Sequence, residues 1–340
     1  MPELSHEMFQ PYTLTEAINR IHTPQLLLVD LLFSRRELSD SDTIVLERRD
    51  AAKKLTAAVA KASRGVADAD GRASAQAVML PRFRKYYTLT PSEARKIRSL
   101  EEARTDQWVQ ANIQQLIPAR QQQLRMQIER RWEQMAAQAV TGGKITAVAG
   151  DEVDFAINFG FAPAQMPTLA GAALWSAANS DPLKNIREWK RAVGQRYGFA
   201  ADTAVGGSAA IDAFLANDKV LKYLHNNAFQ AGRLDANSST NTAFVGRFGG
   251  VDVYEHAQQF ESGGNDTGMF PEDRFVVTSR QGDAMRLHFG LPYDFDAAQP
   301  TPFFSKIVQT PNPSTIEIIA ESVSAPIIWD AGSVVSAKVV

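Results

Sequence analysis

From Thr90 to Gly143 the apolar residues recur with the period of a helix. Past Pro118 they fall at Leu124, Ile128, Trp132, Met135 and Ala139, spacings of four and three that place them on one face. Arg120, Arg125, Glu129, Arg130 and Glu133 lie mostly off that face. The start is marked by Thr90-Pro91-Ser92-Glu93. Threonine suits the N-cap, proline at the first helical position loses no hydrogen bond, and Glu93 can reach back to close a capping box. Gly142-Gly143 supplies the stop. Pro118 lacks an N–H and is expected to divide the stretch into two helical pieces, the second longer and more regular.

The same patterns place the other elements. Leu14 to Ile21 reads as a short helix, and the apolar run Leu26 to Phe33, interrupted by Asp30, reads as a buried strand or helix edge. Residues 43–90 read as a two-stranded excursion. Thr43 to Leu46 leads out, Ala77 to Leu80 and Tyr86 to Leu89 return, and Asp70-Gly71 offers a turn. Few large apolar residues occur from Ala51 to Ala75, so this segment is expected to be ordered only by lying on something else. Lys144 to Val148 and Val153 to Phe159 form a hairpin pattern. Asp181-Pro182 opens a helix with Ile186, Trp189 and Val193 on one face, and Gly198 ends it. Ile211 to Leu224 is helical in pattern, with Ile211, Phe214, Leu215, Leu221 and Leu224 as its core. Val251 to Tyr254 and Phe275 to Val277 read as strands around a flexible tip, Ser262 to Gly268. Ile316 to Ala320, Pro326 to Trp329 and Val334 to Val340 read as three closing strands.

Composition narrows the function classes. A chain of 340 residues, 44% hydrophobic, can bury a large core and would ordinarily make about two domains. It has no cysteine, which excludes disulfides, thiolate zinc sites and cysteine nucleophiles and fits a reducing compartment. The apolar run near the start is too short to span a bilayer, and no basic leader precedes it, so a soluble protein made in the cytoplasm is expected. The net charge of −2 gives no bulk case for gripping nucleic acid. Charge is unevenly placed, however. Residues 43–90 hold ten basic and four acidic residues, net +6, and residues 204–304 hold seven and twelve, net −5. Opposite charges of this kind suit surfaces that meet between subunits.

No motif carries convincing chemistry. The histidines at 6, 22, 225, 256 and 288 have no metal-ligand spacing. Asp68, Asp70 and Gly71 lack the ligands of a calcium loop at Val66 and Ala77. Thr141-Gly142-Gly143-Lys144-Ile145 lacks the first glycine and the hydroxyl of a phosphate loop, and it lies at a helix end. Gly206-Gly207-Ser208-Ala209-Ala210 is the best enzyme-like feature. Ser208 could sit at a nucleophile elbow, with Asp252 and His288 as acid and base, although a plain glycine-rich turn explains it more simply. Asp294 and Asp296 flank Phe295 in a proline-bounded loop, where acidic residues serve solubility. No catalytic, metal or cofactor-binding residue is assigned.

The order of parts resembles the major capsid proteins of tailed bacteriophages, whose fold is named for phage Hong Kong 97. Local sequence is similar to the phage-lambda-like branch, the major capsid protein E family. The similar passages are Leu31 to Glu37, Pro81 to Pro91, Arg120 to Asp154, Trp175-Ser176 with Asp181-Pro182, Phe275 to Gly290, and Ser324 to Val340. The resemblance implies an α+β fold with an N-terminal arm (1–42), an extended β-hairpin loop (43–90) and a peripheral domain with a long spine helix (91–203). It further implies an axial domain (204–304) and closing strands of the peripheral domain (305–340). It implies a homo-oligomer of pentamers and hexamers closing into an icosahedral shell around double-stranded DNA, found in the virion and built in the host cytoplasm. Portal, scaffolding and decoration proteins are the implied partners, with no membrane. Some members weld subunits through a loop lysine and a neighbour's asparagine. Lys53 and Lys54 lie in the loop, but no asparagine partner matches, so non-covalent shells are expected. Arg48, Arg49, Lys53, Lys54, Arg64 and Arg72 are the candidate inter-subunit contacts. The alternatives are a capsid-like cellular nanocompartment and, more remotely, a serine hydrolase built on Ser208.

Overall fold

A computed structural model describes residues 10–21, 26–41, 43–49, 73–96, 106–148, 155–226, 243–262 and 264–340. The arm forms α1 (Pro11–Arg20), α2 (Leu27–Leu32) and β1 (Arg36–Leu38). The apolar run from Leu26 is therefore a short helix, with Leu27, Leu28, Val29 and Leu32 all buried. Strands β2 (Thr43–Arg49) and β3 (Ala73–Met79) pair antiparallel from Thr43 opposite Met79 to Arg49 opposite Ala73. Tyr86 to Leu89 does not extend this hairpin. It lies in β4 (Arg82–Leu89), which joins a different sheet because its partner is the long strand near the C-terminus.

Helix α3 (Pro91–Lys96) opens as expected, with Glu93 Oε2 accepting from Thr90 N at 3.1 Å. Helix α4 (Asp106–Gly142) then runs unbroken through Pro118, contrary to the expected division. A proline inside a helix costs about 3 kcal/mol. Ile117, Leu124, Ile128, Trp132 and Met135 on the same helix are buried, at about 1.5–3 kcal/mol each, so tertiary burial outweighs the local penalty. The helix is also buried well beyond its apolar face. Arg125, Glu129 and Glu133 are under 9% exposed because the arm covers the side on which they lie.

After α4 come the hairpin strands β5 (Lys144–Thr146) and β6 (Ala156–Asn158). Helix α5 (Pro182–Tyr197) follows, capped by the Asp181 carboxyl and stopped by Gly198 at φ +88°, as the sequence predicts. Strand β7 (Thr203–Gly206) leads into α6 (Ser208–Ala216) and α7 (Asp218–Asn226). The expected single helix is thus two, split at Asn217, and Leu221 is 41% exposed rather than core. Then come β8 (Ala243–Phe248), β9 (Val251–Glu255), the hairpin strands β10 (Gln259–Ser262) and β11 (Asn265–Gly268), and β12 (Arg274–Thr278). Strands β13 (Met285–Phe289), β14 (Phe304–Pro311), β15 (Ser314–Ile328) and β16 (Val334–Lys338) complete the chain.

Two five-stranded sheets organise these elements. In the first, β15 is the axis: β13 and β14 pair along one side of it, β4 along the other, and β1 adds to β13. The second runs β16-β12-β7-β9-β8. Hence β13, in the stretch 204–304, belongs with β15, and β16, beyond residue 305, belongs with β12. β15 also merges two expected strands by passing through Pro326. Trp329 N donates to Ala284 O, and Gly290 N donates to Val323 O, so the odd positions of β15 bond to β13. The nitrogen of Pro326 therefore points the other way, beyond the end of β4 at Arg82, where no ladder bond is lost.

Candidate functional site

The arm is locked to α4 by polar side chains lying on one side of that helix. Gln121 Nε2 donates to Ser305 Oγ at 3.0 Å and to Leu14 O at 3.5 Å. One turn on, Arg125 donates to Ile18 O, a carbonyl in the last turn of α1, and to Glu129 Oε1 at 2.8 Å. Two further turns on, the Glu133 carboxyl accepts from Leu28 N at 2.7 Å and Val29 N at 3.0 Å. These are N–H groups that the first turn of α2 cannot satisfy itself. His256 Nε2, just past β9, reaches the same carboxyl at 3.0 Å. Glu133 thus joins the arm, the long helix and the second sheet at one buried point.

The arm's strand is secured separately. In the β1–β13 pair, Glu37 stands opposite His288. Arg286 donates to Glu37 at 2.8 Å and holds its carboxyl below the usual range, against the opposing effect of partial burial. Burial pushes the His288 imidazole below its ordinary pKa, and the Glu37 charge offsets only part of this. Its Nε2 accepts from Trp329 Nε1 at 3.0 Å, so that nitrogen carries no hydrogen.

A second cluster supports the outward face of the first sheet. The Glu321 carboxyl is wholly buried and receives Arg82 in bidentate fashion, at 2.8 and 2.7 Å, with Arg84 at 3.1 Å and Tyr293 N at 2.8 Å. Asp294 lies beside it, its carboxyl 6% exposed and 2.6 Å from Lys306 Nζ. Burial pushes the Asp294 pKa up, but Lys306, the Asp296 N–H and Arg84 together hold it below the usual range. Asp294 is therefore a structural anchor, not a solubilising surface charge. The opposite sheet face packs on α4, where Arg120 lies over the Tyr87 ring at 4.1 Å and Arg131 over Phe83 at 5.5 Å. Trp132 is gripped by Phe289 and Phe303, at 5.3 and 4.8 Å.

The hydrolase arrangement does not assemble. Ser208 follows the Gly206 end of β7, whereas Asp252 pairs with Thr203 at the other end, about 10 Å along the strand. Asp252 is engaged by Arg280 and Arg247, and His288 belongs to the first sheet. Gly207 has a steric reason instead. A Cβ there would meet the backbone of Pro271 and Glu272, which passes close beneath the turn. Among the described residues no group of three His, Asp or Glu side chains is placed to hold a metal, and no helix is long and apolar enough to cross a membrane.

Of the candidate inter-subunit residues, the backbones of Arg48 and Arg49 lie at the outer end of β2. Lys53, Lys54, Arg64 and Arg72 lie outside the described residues. The exposed aromatic residues Tyr293 (77%) and Phe295 (109%) were not singled out as candidates by the sequence. The proline-bounded Tyr-Asp-Phe-Asp run was the only available signal.

The family model for phage major capsid protein E matches residues 10–339. No curated protein sequence matches the chain. Among solved structures, a prophage protein of E. coli CFT073 assigned to the capsid superposes with a TM-score of 0.70 at 17% identity, covering 97% of this chain and 99% of its own. A phage-related protein of Bordetella bronchiseptica RB50 gives 0.56 at 10% identity, with 97% of each chain covered. The capsid of cyanophage P-SCSP1u gives 0.51 at 8% identity, covering 94% and 89%.

Proposed function

The chain belongs to the phage major capsid protein E family, with the Hong Kong 97-type capsid fold, and from that premise we propose how it builds a shell. Copies associate as pentamers and hexamers into an icosahedral capsid of the virion, assembled in the host cytoplasm, which encloses double-stranded DNA without reading its sequence. Portal, scaffolding and decoration proteins complete the particle. The subunit is an assembly component without catalytic function. A cellular nanocompartment would use the same fold, and the match to a phage capsid family favours the virion.

The observation that carries this reading is the β2–β3 hairpin. Without the three basic residues of β4, the stretch 43–79 holds seven basic and four acidic residues, net +3, while residues 204–304 carry −5. The sequence between the two strands has too few large apolar residues to fold on itself, which supports the reading that the stretch 43–79 is ordered by an adjacent subunit. Arg48, Arg49, Lys53, Lys54, Arg64 and Arg72 contribute inter-subunit contacts there, without a covalent link. Each exposed pair contributes only about 0.2–1 kcal/mol, but the contacts repeat in every subunit.

The test is a combined charge reversal, Arg48→Glu, Arg49→Glu, Lys53→Glu and Lys54→Glu. The expected result is a folded subunit that fails to close shells, with added salt weakening assembly of the unaltered protein. Normal shells from this variant at ordinary ionic strength overturn the reading. A subunit that remains monomeric and loses esterase turnover in Ser208→Ala overturns the assignment as a non-catalytic component.

A further inference from the structure

Tyr293 and Phe295 stand in water on a loop that is fixed on both sides of them. Tyr293 N is held by Glu321, its carbonyl accepts from Arg82 Nη2 at 3.4 Å, and the Arg82 guanidinium lies 5.3 Å from its ring. Asp294 is clamped by Lys306, and Asp296 N donates back to Asp294 Oδ1 at 3.1 Å. A mobile loop would let aromatic side chains fold back onto the protein. Here buried charges hold the loop so that the rings point outward, and they lose contact with water only when another surface arrives.

The same chain carries a surface of matching character. The β2–β3 register puts Thr43, Val45, Ala77 and Met79 on one face of the hairpin and Ile44, Leu46 and Val78 on the other. The second set is buried, whereas Val45 is 51% and Met79 73% exposed. Charge adds a smaller part. The two strands carry Arg48 and Arg49 against Glu47, and Asp296, 52% exposed and 3.5 Å from Lys306, stands beside the aromatic pair.

We infer that Tyr293 and Phe295 of one subunit pack onto the outward face of the β2–β3 hairpin of a second copy, around Val45, Ala77 and Met79. This rests on the proposal that the hairpin lies across a neighbour, and it names the surface that receives it.

Because the chain has no cysteine, Val45→Cys and Phe295→Cys can be introduced singly and together and oxidised in assembled shells. A ladder of linked subunits is expected on non-reducing gels from the double variant only. If the double variant does not assemble, shells co-assembled from the two single variants are expected to give linked dimers. Tyr293→Ser with Phe295→Ser is expected to raise the protein concentration needed for assembly about tenfold or more, with thermal unfolding of the subunit unchanged. Unlinked bands, or assembly of the serine variant at ordinary concentration, overturn the contact. If the charge reversal blocks assembly while the serine variant assembles normally, the hairpin reading survives and this contact does not. If both assemble normally, both fall. Normal shells that lose a different virion protein assign the aromatic pair to that partner and also overturn the contact.

Discussion

Glu133 and His256 are joined by a 3.0 Å hydrogen bond, with both side chains wholly excluded from water. The Glu133 carboxyl also holds Leu28 N and Val29 N. In Glu133→Ala three donors lose their acceptor inside the protein, and a loss of about 3–5 kcal/mol is expected. Glu133→Gln keeps one acceptor oxygen and should lose less. Denaturant unfolding gives the magnitude, and hydrogen exchange at Leu28 and Val29 gives the location. Amides that stay protected in Glu133→Ala would mean that apolar packing alone seats α2.

The cluster around Glu321 is asymmetric. The carboxyl is fully buried, whereas the Arg82 and Arg84 side chains are 37% and 33% exposed. Removing the carboxyl in Glu321→Ala lets both guanidinium groups turn to solvent. Removing both arginines leaves a buried carboxylate without its counter-charges, at about 3–5 kcal/mol. Arg82→Ala with Arg84→Ala should therefore lower the melting temperature more than Glu321→Ala does. The reverse order in a thermal melt would show that the arginines matter mainly through packing.

His288 makes stability fall in mild acid. Its pKa is lower folded than unfolded, so below about pH 6.5 the unfolded chain takes up a proton that the folded chain resists. The contribution is fully present above that pH and shrinks as pH falls towards the folded value. Protonation also puts a hydrogen on the Nε2 that accepts from Trp329. His288→Gln should flatten the dependence of unfolding free energy on pH as pH falls below about 6.5. An unchanged slope would remove His288 as the cause. Glu37 and Asp294, with lowered pKa values, lose their stabilising contributions at still lower pH, below the ordinary carboxylate range.

At the turn after β7, Gly207→Ala should cost about 1–3 kcal/mol, because its Cβ would meet main-chain atoms that cannot rotate aside. Ser208→Ala should be close to neutral, as only a partly buried hydroxyl is lost. Comparing the two melting curves separates a steric need for glycine from any role of the hydroxyl. A large effect of Ser208→Ala would revive interest in that side chain.

Elements defined by their own residues were legible in the sequence. Asp181, Pro182 and Gly198 bounded α5 because capping and left-handed backbone are local chemistry. Elements decided by distant partners were not. Pro118 was read as a break and Pro326 as the start of a separate strand, yet the helix and the strand each run through, one through burial and one through the orientation of the proline nitrogen. Glu133 was assigned to the polar side of its helix because the arm that covers it lies about a hundred residues earlier. The carboxylate clusters at Glu321 and Asp294 join residues more than two hundred positions apart, a relationship that periodicity cannot reveal.

Strands β13 and β14 follow the same side of β15, with Phe289 opposite Ser324 and Phe304 opposite Glu321. The two ends of the intervening segment therefore lie about 10 Å apart on a single rail, and Trp132 fixes both through Phe289 and Phe303. Residues 290–302 form a cassette between these fixed points. Its length and sequence can diverge without shifting the register of the sheet, provided that Arg82, Arg84 and Lys306 still find carboxylates and that the surface receiving Tyr293 and Phe295 changes with them. A lineage of such shells can then exchange the contacts this segment makes while keeping one frame.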